Sequence, residues 1–222
     1  MNTIIIILCI SLLIILITIG VSSLSTNSPD RCDKLKTHDL NHYIKNYKNK
    51  KKITEDKVVV SFTTTPDRIE KIKPMLNSIL DQSVKIDQIS MNIPEESKNK
   101  KYNVPKEYKN VCNVYKAGKD YGPGTKYIPT LLRESECGTK IIIVDDDQLY
   151  GEDLIQKLLE ESERNPDKCI YAGDKFSGAG GILIKPEFMK DVNHDICDDK
   201  WLEDNLTVDK VNINYTKNKK YI

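Results

Sequence analysis

Three consecutive carboxylates, Asp145-Asp146-Asp147, close the apolar run Ile141-Ile142-Ile143-Val144. Four β-branched residues between polar neighbours predict a buried parallel strand. In an open α/β sheet, ligands bind outside the carboxyl ends of the strands. Adjacent carboxylates placed there repel one another, and burial raises the cost. A hard divalent cation, Mn²⁺ or Mg²⁺, relieves that cost by taking carboxylate oxygens, and it keeps coordination positions for a substrate's phosphates. Asp145 and Asp147 are the expected ligands, because alternate residues of an extended segment point the same way. The plainer reading of the same residues is an acidic loop before a helix capped by Asp153. The chemistry implied is metal-assisted reaction of a phosphorylated donor.

Other residues suit the same chemistry. Thr63-Thr64-Thr65-Pro66-Asp67-Arg68 follows an apolar run, and hydroxyls, free N–H groups and a helix start can hold an anionic or nucleotide ligand. Taken alone, it is a capped turn. Gly122-Pro123-Gly124-Thr125-Lys126 superficially suggests a phosphate loop. It fails the Walker pattern in residue order and spacing. Lys126 can still meet a phosphate as a point charge. Asp198-Asp199-Lys200-Trp201-Leu202 reads first as a capped helix with Trp201 in the core. A carboxylate at such a helix start is also placed to take a proton from an acceptor hydroxyl. His38, His42 and His194 have no metal-like spacing.

The elements that must position these residues are legible as alternation. Strands are predicted at Val58–Phe62, Ile86–Ile93, Val111–Tyr115, Lys140–Val144, Cys169–Ala172, Ile182–Ile184 and Val208–Ile213. Helices are predicted at Arg68–Gln82, Lys126–Glu134, Asp153–Arg164 and Asp198–Leu206, with a short one opened by Pro186. Strands alternating with helices predict an α/β fold with a mainly parallel central sheet.

The 222 residues suffice for one domain with a real core. With 34 Lys+Arg against 33 Asp+Glu, the chain offers no bulk charge for nucleic acid. Residues 4–19 are apolar apart from Ser11 and Thr18. This run predicts a signal anchor over 1–21, a single-pass membrane helix, with a cleaved signal peptide as the alternative. Arg31, Lys34 and Lys36 after the run argue for a cytoplasmic C-terminal side. Residues 22–56 are Lys- and Asn-rich and read as a polar stem or linker, with a short helix around Leu35–Tyr47, and 57–222 as the globular domain. Six cysteines show no CxxC spacing, and the five outside the apolar run, an odd set, make no closed disulfide framework; free thiols, or one or two bridges in an oxidising lumen, are the readings left open. Asn205 and Asn214 begin weak glycosylation sequons.

Taken in order, these elements resemble the nucleotide-sugar glycosyltransferases of GT-A fold, family 2-like, of bacterial and large-virus type. Val59 to Ile69 resembles their opening strand and loop. Leu76-Asn77-Ser78-Ile79-Leu80-Asp81-Gln82 is similar to a helix ending in Ser-Leu-x-x-Gln. Ile141–Asp147 is similar to the strand bearing Asp-x-Asp. Gly178-Ala179-Gly180-Gly181 with Asp198-Asp199-Lys200-Trp201-Leu202 resembles the acceptor-side segment and x-Glu-Asp helix. Asp120 to Lys126 resembles a segment of the bacterial and viral members. The resemblance covers about residues 57–215. It implies a nucleotide-diphosphate sugar donor, Mn²⁺ or Mg²⁺ at Asp145 and Asp147, and donor contacts from Thr63, Thr64, Pro66, Arg68, Lys126 and Asp146. It implies Asp199 as the base of an inverting displacement, with Asp198 standing where many members have Glu. A glycan, protein or lipid acceptor and a type II protein facing the secretory lumen also follow from it. The chain ends soon after its last helix, where many members continue. Two other readings use the same residues. One is a non-catalytic nucleotide- or sugar-binding relative. The other is a haloacid dehalogenase-like phosphotransfer enzyme with Asp145 as nucleophile, although that signature belongs on a first strand and Leu149 departs from it.

Overall fold

The computed structural model describes residues 29–189, 198–213 and 219–221. The apolar run at 4–19, His194, Cys197 and the sequon at Asn214 lie outside them. Among the described residues no helix is long and apolar enough to cross a membrane.

Seven strands make the main sheet: β1 (Val58–Phe62), β2 (Gln88–Ile93), β5 (Asn113–Lys116), β6 (Lys140–Ile143), β8 (Cys169–Ala172), β9 (Ile182–Ile184) and β10 (Lys210–Ile213). Two-residue strands make two small ladders, β3 (Glu96–Ser97) with β4 (Lys100–Lys101), and β7 (Gln148–Leu149) with β11 (Lys219–Lys220). The order in the main sheet is β10-β8-β9-β6-β1-β2-β5. β1 runs parallel to both neighbours, with Val60 opposite Ile89 on one side and Ile142 on the other. β9 runs antiparallel to β6 and β8. The sheet is therefore mainly parallel, as the alternation of elements predicts. β1 and β6 are buried along their whole length. Helices cover both faces, so runs of Val and Ile meet no water on either side.

The two faces follow the two-residue period of the strands. Val58, Val60, Phe62, Ile142 and Leu183 face one core with Leu76, Ile79, Leu154 and Leu158. Ile141, Ile143, Ile182 and Ile184 face a second core with Tyr127, Ile128, Leu131 and Leu202. The first is covered by α3 (Lys73–Leu80) and α5 (Leu154–Arg164), the second by α4 (Ile128–Arg133) and α6 (Asp199–Asn205).

Two predicted helices are shorter than their apolar spacing implies, and proline accounts for both. Arg68–Gln82 divides into a 3₁₀ turn at Ile69–Lys71 and α3, with Pro74 in the first turn of α3. Lys126–Glu134 narrows to α4, with Pro129 at its start, and a 3₁₀ turn at Gly122–Lys126 precedes it. Proline lacks an N–H and fixes φ, so it belongs at a helix start and not inside one.

Part of the segment read as a stem carries α1 (Pro29–Thr37) and α2 (Leu40–Tyr47). Their Cys32, Leu35, Leu40 and Tyr43 are buried in the first core. Asn77 of α3 donates to the carbonyls of Leu35 and His38, and Arg31 pairs with Asp81 at 2.8 Å. Four apolar side chains in a Lys- and Asn-rich stretch do not lift its average composition, yet spaced on one face they suffice to dock it.

Candidate active site

A cleft of 560 Å³ opens at the carboxyl ends of β1 and β6. Thr63, Thr64, Arg68, Lys126, Asp145, Asp146, Asp147 and Asp199 all line it. Residues from four separated stretches of chain thus share one cavity, where ligands of an open α/β sheet bind.

The floor is the end of β6. Val144 N–H still bonds to the carbonyl of Ser61, and the chain then turns at Asp146–Asp147. Because of that turn, the alternation expected of an extended segment does not sort the three acids. Asp145 goes one way, to Lys126 Nζ at 2.8 Å. Asp146 and Asp147 share Arg68, whose Nη2 lies 2.5 Å and 3.2 Å from their carboxylates. Asp146 is the buried member and accepts from Thr64 Oγ1 at 2.6 Å. Burial pushes its pKa upward, against the pull of the Thr64 hydrogen bond and the Arg68 charge.

The first-strand loop is braced from behind. Thr63 Oγ1 donates to the carbonyl of Asn92 at 2.7 Å, and Tyr102 donates to the carbonyl of Thr64 at 2.9 Å. The Thr65 carbonyl accepts from the N–H groups of Arg68 and Ile69, which closes the turn and aims Arg68 at the acids. Pro66 sits in that turn and is not among the residues lining the cleft.

Lys126 is the centre of the arrangement. Its side chain is 6% exposed and its ammonium lies 2.8 Å from Asp145 and 2.6 Å from Asp199. Its main-chain carbonyl is held by Ser61 Oγ, which also bonds Thr130 beside Asn92. Burial alone would push the ammonium pKa down, but the charges of Asp145 and Asp199 outweigh it, and the net shift is upward. The contact with Asp199 Oδ1 is an ion pair without aligned hydrogen-bond geometry, as is that of Arg68 Nη2 with Asp146.

Asp199 opens α6 and faces the cleft, where its second oxygen accepts from Gly178 N–H at 3.3 Å. Asp198 takes the other role open to it. It is exposed, caps α6 by accepting from Trp201 N–H at 2.8 Å, and does not line the cleft. Trp201 is partly buried against the second core and stacks on Tyr127. Asp153 precedes α5 without a side-chain cap bond and pairs with Lys157 instead.

Two further residues hold the site together, Tyr150, which sequence reasoning passed over, and Gly178 of the glycine segment. Tyr150 accepts from Asp145 N–H at 2.7 Å and reaches the Gly178 carbonyl at 2.7 Å, tying the acidic loop to the glycine segment. No sequence signal marks it. Gly178 is needed for space. A Cβ there would stand 2.5 Å from Asp145 Oδ1 and 2.9 Å from Lys126 Nζ.

These pairings change the electrostatic argument for a metal. The three acids are not left to repel one another, because Arg68 and Lys126 already stand between them, with Lys220 3.4 Å from Asp147. Among the described residues, no group of three or more His, Cys, Asp or Glu side chains could hold an ion. A cage built from protein alone is therefore not what the residues offer. Asp145 and Asp147 do line the cleft, and they fit an ion that takes one or two carboxylates and fills its shell from a ligand's phosphates. Cys32, Cys112, Cys137 and Cys169 are free.

No family model matches the chain, and no curated protein matches its sequence. Among solved structures, a mannosyltransferase from Pyrobaculum calidifontis in complex with GDP-Man and Mn²⁺ is similar at 12% identity and a TM-score of 0.48, over 80% of this chain. This chain spans 64% of that protein's length. A mycobacterial protein is similar at 12% identity and a TM-score of 0.46, over 76% of this chain and 68% of the other. A candidate nucleotide-diphospho-sugar transferase from Desulfovibrio desulfuricans G20 is similar at 12% identity and a TM-score of 0.42, over 73% of this chain and 83% of the other. Likenesses of this order carry no functional argument, and the chemistry of the cleft has to stand by itself.

Proposed function

We propose that this chain is a glycosyltransferase of GT-A type that moves a sugar from a nucleotide-diphosphate donor to an acceptor hydroxyl. One observation carries the reading. The first-strand loop, the acidic loop, Lys126 and Asp199 lie far apart in sequence and line a single cleft beyond the strand ends. In this reading Thr63 and Thr64 line the nucleoside end, and Arg68 and Lys126 meet the diphosphate with their charges. Asp145 and Asp147 would hold Mn²⁺ or Mg²⁺, which when bound supplies Lewis-acid neutralisation of the departing diphosphate. Asp146, buried and bonded to Thr64, would set the loop's position.

Asp199 takes the proton of the acceptor hydroxyl as its oxygen attacks the anomeric carbon. The bond from that carbon to the diphosphate breaks on the opposite side, so configuration inverts. Asp198 caps the helix and does not line the cleft, which favours Asp199 as the base. The apolar run before residue 22 would tether the domain to a membrane, with the acceptor a glycan, protein or lipid.

Thermal melting of the full-length protein tests the donor site. UDP- and GDP-sugars are added with and without Mn²⁺, since a ligand that binds only the folded state raises the melting temperature. A metal-dependent rise that disappears in Asp147→Asn is expected. Asp199→Asn should keep that rise and lose transfer. No rise with any nucleotide sugar, in a protein that melts cooperatively, overturns the reading. Binding without turnover on a broad acceptor panel reduces it to a non-catalytic sugar-nucleotide module.

A further inference from the structure

The C-terminal residues of the chain return to the acidic loop. β11 pairs antiparallel with β7, which places Lys220 opposite Gln148, next to Asp147. Tyr221 N–H then donates to the carbonyl of Asp147 at 3.1 Å. The Tyr221 hydroxyl accepts from Met75 N–H at 3.2 Å. Its single proton can go to the carbonyl of Asp146 at 3.0 Å or to that of Lys71 at 3.3 Å. One side chain therefore ties together the start of α3, the turn before it and the Asp146–Asp147 turn. Such a crossing of three segments fixes where Asp147 stands.

Lys220 adds charge at the same place. Its ammonium is 3.4 Å from Asp147 Oδ2, and that same oxygen is 3.2 Å from Arg68 Nη2. Both cations thus share one carboxylate oxygen, whose two acceptor sites can take them together. The Lys220 side chain is 66% exposed, so the ion pair contributes little to stability and the ammonium is free to move to a stronger anion. A diphosphate brought against Asp147 and Arg68 would be that anion.

We propose that Lys220 and Tyr221 belong to the donor site: Tyr221 positions the Asp147 turn, and Lys220 supplies a cation to the donor's diphosphate. This rests on the reading of the cleft as a nucleotide-sugar site, and it adds β11 and Tyr221 to that site.

Binding of UDP, GDP and inorganic pyrophosphate, each with Mn²⁺, is measured by calorimetry on the full-length protein. Lys220→Ala should weaken the binding by about tenfold and leave the melting temperature unchanged, the size expected for one charge-assisted contact. Lys220→Arg should retain wild-type affinity, and the gap between wild type and Lys220→Ala should narrow in 0.5 M salt, about where screening reaches a few ångströms. Tyr221→Phe should weaken binding by about threefold, because the turn loses its hydroxyl bonds while Lys220 stays. Wild-type affinity in Lys220→Ala, or an Arg variant as weak as the Ala variant, overturns the inference and leaves the site reading intact. A wild-type protein that binds none of the three ligands overturns both.

Discussion

Two buried lysines, one at each end of the same strand, hold two carboxylates apiece. At the carboxyl end of β6, Lys126 lies between Asp145 and Asp199 at 2.8 and 2.6 Å. At the amino end, Lys140 lies between Asp56 and Glu163 at 2.5 Å each, with its own side chain 2% exposed. Each lysine has a glycine near one of its acids. Gly178 clears space beside Asp145, and Gly138 stands beside Asp56. As lists of residue types the two clusters are nearly the same. They differ in what lies outside them. Asp56 and Glu163 are 46% and 63% exposed, so water completes their hydrogen bonds. Asp145 and Asp199 are 26% and 22% exposed and face the 560 Å³ cleft. A lysine between two acids is thus not in itself a site. A cavity that can admit a ligand, and that limits the water competing with it, separates the two.

The comparison breaks most directly at the lysines. Lys126→Met should weaken donor binding by about 100-fold, since truncating one partner of a buried charge pair strands the others. Lys140→Met should leave donor affinity at the wild-type value and instead lower stability by about 2 kcal/mol, read from denaturant unfolding. Equal donor affinity in wild type and Lys126→Met would erase the distinction between the two ends.

The glycines sharpen it at smaller scale. Gly178→Ala should cost about tenfold in donor affinity, because its Cβ must displace either the Asp145 carboxylate or the Lys126 ammonium. Gly138→Ala should cost about 1 kcal/mol of stability and nothing in binding. Its φ is +84°, a left-handed conformation that alanine resists, while the nearest side-chain atom would be an ordinary 3.4 Å away. If Gly178→Ala binds donor as well as the wild type, the close packing around Lys126 has no functional weight.

The smallest effect is one of pH. Burial opposes the Lys140 charge, but hydrogen bonds and charges from Asp56 and Glu163 outweigh it, and its pKa is raised. A raised lysine stabilises the fold fully below the unfolded pKa, about 10.4, and loses that contribution as pH rises through the folded value. The melting-temperature gap between wild type and Lys140→Met should therefore be constant through neutral pH and shrink above about pH 10.4. A gap that grew with alkaline pH would reverse the sign assigned to the cluster.

The two ends also differ in how plainly they could be foreseen. Asp145–Asp147 is conspicuous because it interrupts a run of Ile and Val, and the first-strand loop is conspicuous because it follows another. Asp199 was visible as one of a pair at a helix start. Which of that pair faces the cleft depends on which residue caps the helix, and Asp198 takes that place with its bond to Trp201 N–H. Lys126 carried only a loose phosphate-loop likeness, and its actual partners are 19 and 73 positions away along the chain. Tyr150 and Tyr221 gave no signal at all, since a tyrosine's hydroxyl partners here are backbone groups, which every residue type possesses. The packing of α1 and α2 against α3 was hidden for a related reason. Burial of Leu35, Leu40 and Tyr43 depends on a surface that α3 provides.

Local order along the chain was enough to establish the alternation of strand and helix, the buried β-branched strands, and the acids at a strand's carboxyl end. Each follows from side-chain period, β-branching or proline position, which act over a few residues. The choice of partner for each charge came from folding. Arg68 on Asp146 and Asp147, Lys126 between Asp145 and Asp199, and Lys220 beside Asp147 each join distant parts of the chain. Coulombic attraction and the cost of burying an unpaired charge act through space, so they have no signature in residue spacing.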